Sequence, residues 1–119
     1  GALNITFSGG EPLLRKDIWE LIAYARSLHF IVRLKTSGIY LTGENIEFIS
    51  KLGMVFVDVS LHGPRASVHD AVTRVAGSFD LAMNAIKALY NANIPIQVNT
   101  SALKLNVDDI SELKSYFDE

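Results

Sequence analysis

Leu3-Asn4-Ile5-Thr6-Phe7-Ser8-Gly9-Gly10-Glu11-Pro12 opens as a short, apolar, β-rich run and then breaks into a turn. A run of that kind is expected to be a strand covered by helices, as strands of parallel sheets are. The turn is expected to be a ligand loop at the strand's end. Paired glycines permit positive φ and let a ligand approach backbone atoms with no Cβ in the way. Pro12 fixes the chain after Glu11, so the carboxylate is held, and a held carboxylate beside bare backbone suits an ammonium group. The alternative is a solvated loop acid, which the glycines and Pro12 disfavour. The turn has neither the glycine spacing of a dinucleotide fingerprint nor the Lys-Ser/Thr of a phosphate loop. It is not a phosphate cradle.

Outward from this stretch the apolar period switches back and forth. From Asp17 it is helical, with Ile18, Leu21, Ile22 and Ala25 on one face. Residues 30–34 read as a strand, followed by a helix capped by Thr42, presenting Ile46, Ile49 and Leu52 and ended by Gly53. Residues 54–59 form the strongest strand pattern, rich in β-branched and aromatic positions. Ser78 is placed to cap a helix with Ala82, Ala85, Ile86 and Leu89 inside, which Asn91 or Asn93 could end in a left-handed conformation. Residues 94–98 give a fourth strand, with Pro95 tolerable near its start. A last helix is expected from near Asp108, carrying Ile110, Leu113 and Phe117. Strand and helix alternating four times predict an α/β fold of right-handed βαβ units on a parallel sheet. Residues 62–77 are the longest stretch expected to be irregular, and a loop that long at that place is usually functional.

The 119 residues make one domain at most, and 49% hydrophobic with 20% charged residues is ordinary for a globular chain. A net charge of -2 without a Lys/Arg run points to no nucleic acid and no anionic membrane as partner. No apolar stretch approaches the roughly 20 residues of a spanning helix, and no signal-peptide pattern is present; a cytoplasmic protein is expected. Zero cysteines exclude disulfides and thiolate metal sites from this chain, though not from a longer parent. Both ends read as cuts, because Gly1-Ala2 leads straight into a strand and residues 113–119 stop inside a helical pattern.

Parallel sheets bind ligands beyond the carboxyl ends of their strands. Here those ends run into Ser8 to Pro12, Thr36-Ser37-Gly38, Ser60 and Asn99-Thr100-Ser101. One small polar ending would be ordinary loop composition. Four together suggest a face that hydrogen-bonds a polar small molecule.

Ile5-Thr6-Phe7-Ser8-Gly9-Gly10-Glu11-Pro12-Leu13-Leu14 resembles the second-strand motif of the radical S-adenosylmethionine (radical SAM) enzymes. Thr36-Ser37-Gly38 is similar to the family's Thr-Asn-Gly after the third strand, and Val59-Ser60-Leu61-His62-Gly63 to its fourth-strand motif. His69-Asp70, Thr73-Arg74 and Gly77-Ser78-Phe79 resemble the segment that follows. The resemblance covers essentially the whole chain. It implies part of a (β/α)6 partial TIM-like barrel, about four parallel strands with helices on the outer face. It also implies that residues 1–119 are a core-domain fragment, from the family's second strand to the helix after its fifth. By the same resemblance Gly9, Gly10, Glu11 and Pro12 would hold the methionyl amine of SAM. Thr36 and Ser60 would face its carboxylate or ribose, Arg74 would pair with the carboxylate, and Asn99 would approach the ribose.

The family's 4Fe-4S cluster is held by a Cys-x3-Cys-x2-Cys loop, for which this chain has no thiolate. His29, expected to be exposed at a helix end, and His62 and His69, expected to cap or hydrogen-bond within the long loop, do not replace it. The cluster is therefore expected only in the parent, before Gly1; a homologue that has lost it is the alternative. The resemblance implies reductive SAM cleavage in that parent, on a small-molecule or peptide substrate. The branch implied is peptide maturation or cofactor biosynthesis (pyrroloquinoline quinone or haem), with the molybdenum-cofactor cyclase a near relative. The isolated chain is expected to be inactive and to self-associate through the uncovered edge of its first strand. Two other classes stay open: a cluster-less α/β binding module, and an aldolase-like barrel, for which Lys35 stands at a strand end among neighbours that do not suggest Schiff-base chemistry.

Overall fold

The computed structural model describes residues 3–115 and 117. Its four strands are β1 (Asn4–Phe7), β2 (Ile31–Thr36), β3 (Val55–Ser60) and β4 (Ile96–Asn99). They form one sheet in the order β1-β2-β3-β4, every pair parallel. Helices α1 (Ile18–Ser27), α2 (Gly43–Leu52), α3 (Ala66–Thr73), α4 (Ser78–Asn91) and α5 (Ile110–Ser115) follow or connect the strands, with a 3-10 turn at Pro12–Leu14. Because all strands run the same way and neighbours in sequence are neighbours in space, their carboxyl ends share one rim.

Residues alternate between the faces of a strand, and here the two faces differ in chemistry. Val32 and Leu34 of β2 and Val55, Val57 and Val59 of β3 are buried against Ile18 and Ile22 of α1, Ile46 and Ile49 of α2, and Ala82, Ile86 and Leu89 of α4. Each fully buried aliphatic side chain contributes roughly 1.5–3 kcal/mol, so the helix-covered face holds the fold. The intervening positions are Arg33, Lys35, Phe56, Asp58 and Gln97. Asp58, 4% exposed, pairs with Arg33 at 2.6 Å. Arg33 also donates to Gln97 and lies over the Phe56 ring, 5.4 Å from its centroid.

Local signals account for most boundaries. Thr42 and Asn45 form a reciprocal capping box at the start of α2, and Gly53 ends it at φ 66°. Asn93, at φ 59°, turns the chain after α4, and His29, at φ 67°, is exposed after α1.

Other expectations need correction. Residues 62–77 are not one irregular stretch, since α3 occupies their middle. Its one buried residue is the polar His69 and its N-cap makes no side-chain bond, so no apolar stripe or cap announces it. Ser78 does not cap α4; Gly77 does, at φ 83°. The capping acceptor is Asp70 of α3, whose carboxylate takes the Gly77 and Phe79 N–H groups at 3.0 and 2.9 Å and the Ser78 hydroxyl at 3.0 Å. Those bonds hold its pKa below the ordinary carboxylate value, as an anion at a helix N-terminus should be held. β1 is exposed to half-buried, because it lies at the sheet edge. Strand bounds shift by one or two residues, α5 begins at Ile110, and Phe117 falls beyond it.

Candidate functional site

A cavity of about 480 Å³ opens on the shared rim. Ser8 to Glu11 line it after β1, Lys35, Thr36 and Ser37 at the end of β2, Ser60 and His62 at the end of β3, and His69 and Thr73 from α3. The glycine turn forms an open wall. Gly9 sits at φ 104°, and a Cβ built on either Gly9 or Gly10 meets nothing within 4 Å. Side chains there would meet open space, not protein.

Glu11 is tied down from two directions. It precedes the 3-10 turn begun by Pro12 and accepts the Leu13 N–H at 3.1 Å. Across the rim it accepts the Thr36 hydroxyl at 2.8 and 2.9 Å, the Ser37 N–H at 2.8 Å and the Ser37 hydroxyl at 2.6 Å. Four donors meet a group with about four acceptor positions. A ligand ammonium must therefore turn a hydroxyl aside or rely on the turn's carbonyls within the carboxylate's field. Hydroxyls rotate at little cost, and both already accept a backbone N–H, from Gly38 and Ile39.

The opposite wall is a histidine pair. The rings of His62 and His69 stack with centroids 5.7 Å apart. The Nδ1 of His69 accepts the His62 N–H at 2.9 Å, and the Nδ1 of His62 accepts the Ser101 N–H at 3.3 Å. Both acceptor roles require a neutral ring. Burial pushes both pKa values down, and for His69 the neighbouring His62 adds to this while Asp70 opposes it. The unfolded chain then takes up protons first as pH falls. The contribution of the pair to stability is complete above the ordinary histidine value of 6.5 and declines below it. Urea midpoints should fall between about pH 7.5 and 5.5, less steeply in His69→Gln; a flat profile would contradict the neutral pair.

Of the residues singled out from sequence, Gly9, Gly10, Glu11, Thr36 and Ser60 line the cavity together. Pro12 sets the turn from outside the lining. Asn99 is half-buried and also outside the lining, its carbonyl accepting the Leu61 N–H at 2.9 Å. Arg74 is exposed at the left-handed end of α3, φ 62°, and does not line the cavity. Ser8, Lys35, Ser37, His62, His69 and Thr73 also line it without a SAM role assigned from the sequence; all but Lys35 lie within the strand-end loops and motifs already quoted. Lys35 is exposed, so it lacks the apolar desolvation that activates a Schiff-base lysine. A second groove of about 500 Å³, mostly apolar, lies between β4 and α5.

The Radical SAM superfamily pattern matches residues 1–117. The chain belongs to this superfamily. Among curated relatives, an AdoMet-dependent heme synthase of Oleidesulfovibrio alaskensis is 36% identical over 103 residues, 87% of this chain and 26% of that protein. Mycofactocin maturase MftC of Mycolicibacterium smegmatis is 38% identical over 109 residues, 91% of this chain and 28% of that protein. The chain thus spans between a quarter and a third of the length of these relatives. The crystal structure of Streptococcus suis SuiB bound to S-adenosylmethionine superposes with a TM-score of 0.81 at 18% identity, over 95% of this chain and 26% of SuiB. SuiB has also been seen bound to its precursor peptide SuiA. The parallel strands with helices on one face match the partial barrel of such radical SAM enzymes. The helix pattern offers no span long and apolar enough to cross a membrane among the described residues.

Proposed function

We propose that this chain is the SAM-binding part of a radical SAM enzyme of the peptide-modifying or cofactor-building branch. The observation that carries it is the open Gly9-Gly10 wall beside a carboxylate immobilised by two strands' ends. Bound SAM supplies the superfamily's radical chemistry. The chain's own residues bind and orient: the carbonyls of the glycine turn and the field of Glu11 hold the methionyl ammonium. Ser60, whose hydroxyl makes no bond among the described residues, faces the ligand's polar groups. Thr36 acts on Glu11, to which its hydroxyl is committed. The residues do not fit the iron–sulfur cluster: the sequence has no Cys, and no group of three or more His, Asp or Glu among the described residues could hold a metal. The cluster ligands would belong to parent sequence outside residues 1–119, and the chain alone would not cleave SAM. The names of the relatives support a peptide or a small-molecule substrate in that parent.

Gly10→Val tests the reading. Gly10 has no positive φ and its Cβ direction is empty, so the variant should keep its thermal midpoint. It should lose SAM affinity at least about tenfold in calorimetric titration, about 1.4 kcal/mol. Unchanged affinity, or no binding by the wild-type chain, would sink the proposal.

A further inference from the structure

The wall opposite Glu11 is built from two rings whose second nitrogens the protein leaves unused. His69 is 2% exposed and lines the cavity. With its Nδ1 taking the His62 N–H, the neutral ring carries its proton on Nε2. That N–H has no partner among the described residues, where Arg26 Nε is the one sealed side-chain atom left without a bond. It therefore opens on the cavity. His62 repeats the arrangement, with Nδ1 on the Ser101 N–H and Nε2 without a partner. We propose that ligand occupancy of this cavity is coupled to the protonation of the His62–His69 pair, so that acid pH expels the ligand. This is a regulation of the SAM site and rests on that reading.

Protonating either ring turns its acceptor into a donor aimed at a backbone N–H. One of those bonds joins α3 to the loop after β3, and the other joins that loop to the one after β4. Asn106, 1% exposed, ties the same two loops by donating to the carbonyls of His62 and Ser101, both at 2.9 Å. Loss of an acceptor thus loosens a wall shared by three segments. Protonating both rings also sets two cations 5.7 Å apart. SAM, whose sulfonium and ammonium outweigh its one carboxylate, is repelled by that charge. Of the charged groups around the pair, Asp70 favours the His69 imidazolium, but its carboxylate is committed to the start of α4. Arg65 at the start of α3 is paired with Asp109 and Glu112, and Asp80, Lys104 and Asp108 are exposed. Across the cavity Glu11 is held by the end of β2, and Lys35 adds a further positive charge. The ligand takes the neutral wall, so its affinity is level above the ordinary histidine value of 6.5 and falls below it with the neutral fraction.

The test titrates the wild-type chain with SAM by calorimetry between about pH 7 and 5, where the ligand's own ammonium and carboxylate do not titrate. Affinity should be level down to about pH 6.5 and at least about threefold weaker at about pH 5, with protons released on binding at the acid end. His69→Asn keeps an acceptor for the His62 N–H in a side chain that does not titrate, and should lose at least half of this pH dependence. His29→Asn, at the exposed histidine after α1, should keep all of it. A second measurement needs no variant: NMR of 15N-labelled histidines, read over the pH range in which the circular dichroism is unchanged. Saturating SAM should move the titrations of His62 and His69 to lower pH and leave His29 in place, the same coupling seen from the proton's side. A level affinity down to pH 5, titrations that SAM does not move, or a His69→Asn chain with the full pH dependence each overturn the inference and leave the SAM-site reading standing. No SAM binding at pH 7 removes both.

Discussion

Glu11→Ala should lower the stability of the chain by about 2–4 kcal/mol and abolish measurable SAM binding. The stability loss comes from the donors left behind: the Leu13 and Ser37 N–H groups and the Thr36 and Ser37 hydroxyls. A hydrogen bond to a charged acceptor contributes about 1.5–3 kcal/mol. The site opens to solvent, however, so water can replace part of what is lost, and that keeps the total well short of the sum. Glu11→Gln separates charge from shape. Its amide carbonyl can accept on one side, but its NH2 confronts donors on the other, so it should lose about half as much stability and nearly all affinity. Thr36→Val removes one donor, keeps the carboxylate, and should weaken binding only through a less fixed Glu11. Urea unfolding followed through Trp19 gives the stabilities, and calorimetry gives the affinities. A Glu11→Ala chain with an unchanged midpoint would mean that the two strand ends are held together by something else.

The fold was readable where its determinants are local. β2 and β3 bury continuous apolar alternation against helices, and α2 carries its own cap at Thr42 and its own stop at Gly53. α3 was invisible because its buried residue is a histidine. The start of α4 was misread for a related reason: the acceptor that caps it sits on another helix, at Asp70, where neighbouring-residue rules name Ser78. The same split governs the site. Glycines and a proline around one acid mark the turn in sequence. The partners of that acid are 25 and 26 positions away, at Thr36 and Ser37, and only strand pairing brings them there. Arg74 differs: the left-handed end of α3 leaves it exposed and outside the cavity lining, a matter of tertiary direction that spacing does not encode.

Gly63→Ala should cost about 2–3 kcal/mol, the upper part of what overpacking usually costs. Gly63 has no positive φ, so strain is not the reason; space is. An added Cβ would lie 2.6 Å from both Cβ and Cγ1 of Val68 and 2.9 Å from the backbone nitrogen of His69. A clash with the far end of a side chain can be relieved by rotation, but one with a Cβ and a backbone nitrogen cannot. Relief requires α3 to withdraw from the loop after β3. His69 would move with it, stretching the bond from the His62 N–H to Nδ1 and loosening its edge contact with Phe79, now at 5.9 Å between centroids. The opposite wall of the cavity would open, so SAM affinity should fall together with stability. Adding Val68→Ala should recover less than half of the loss, since it removes Cγ1 but leaves the Val68 Cβ position and the His69 nitrogen in place. A Gly63→Ala variant within about 0.5 kcal/mol of wild type, or full recovery in the double variant, would show that the loop yields and that α3 is not fixed by this contact.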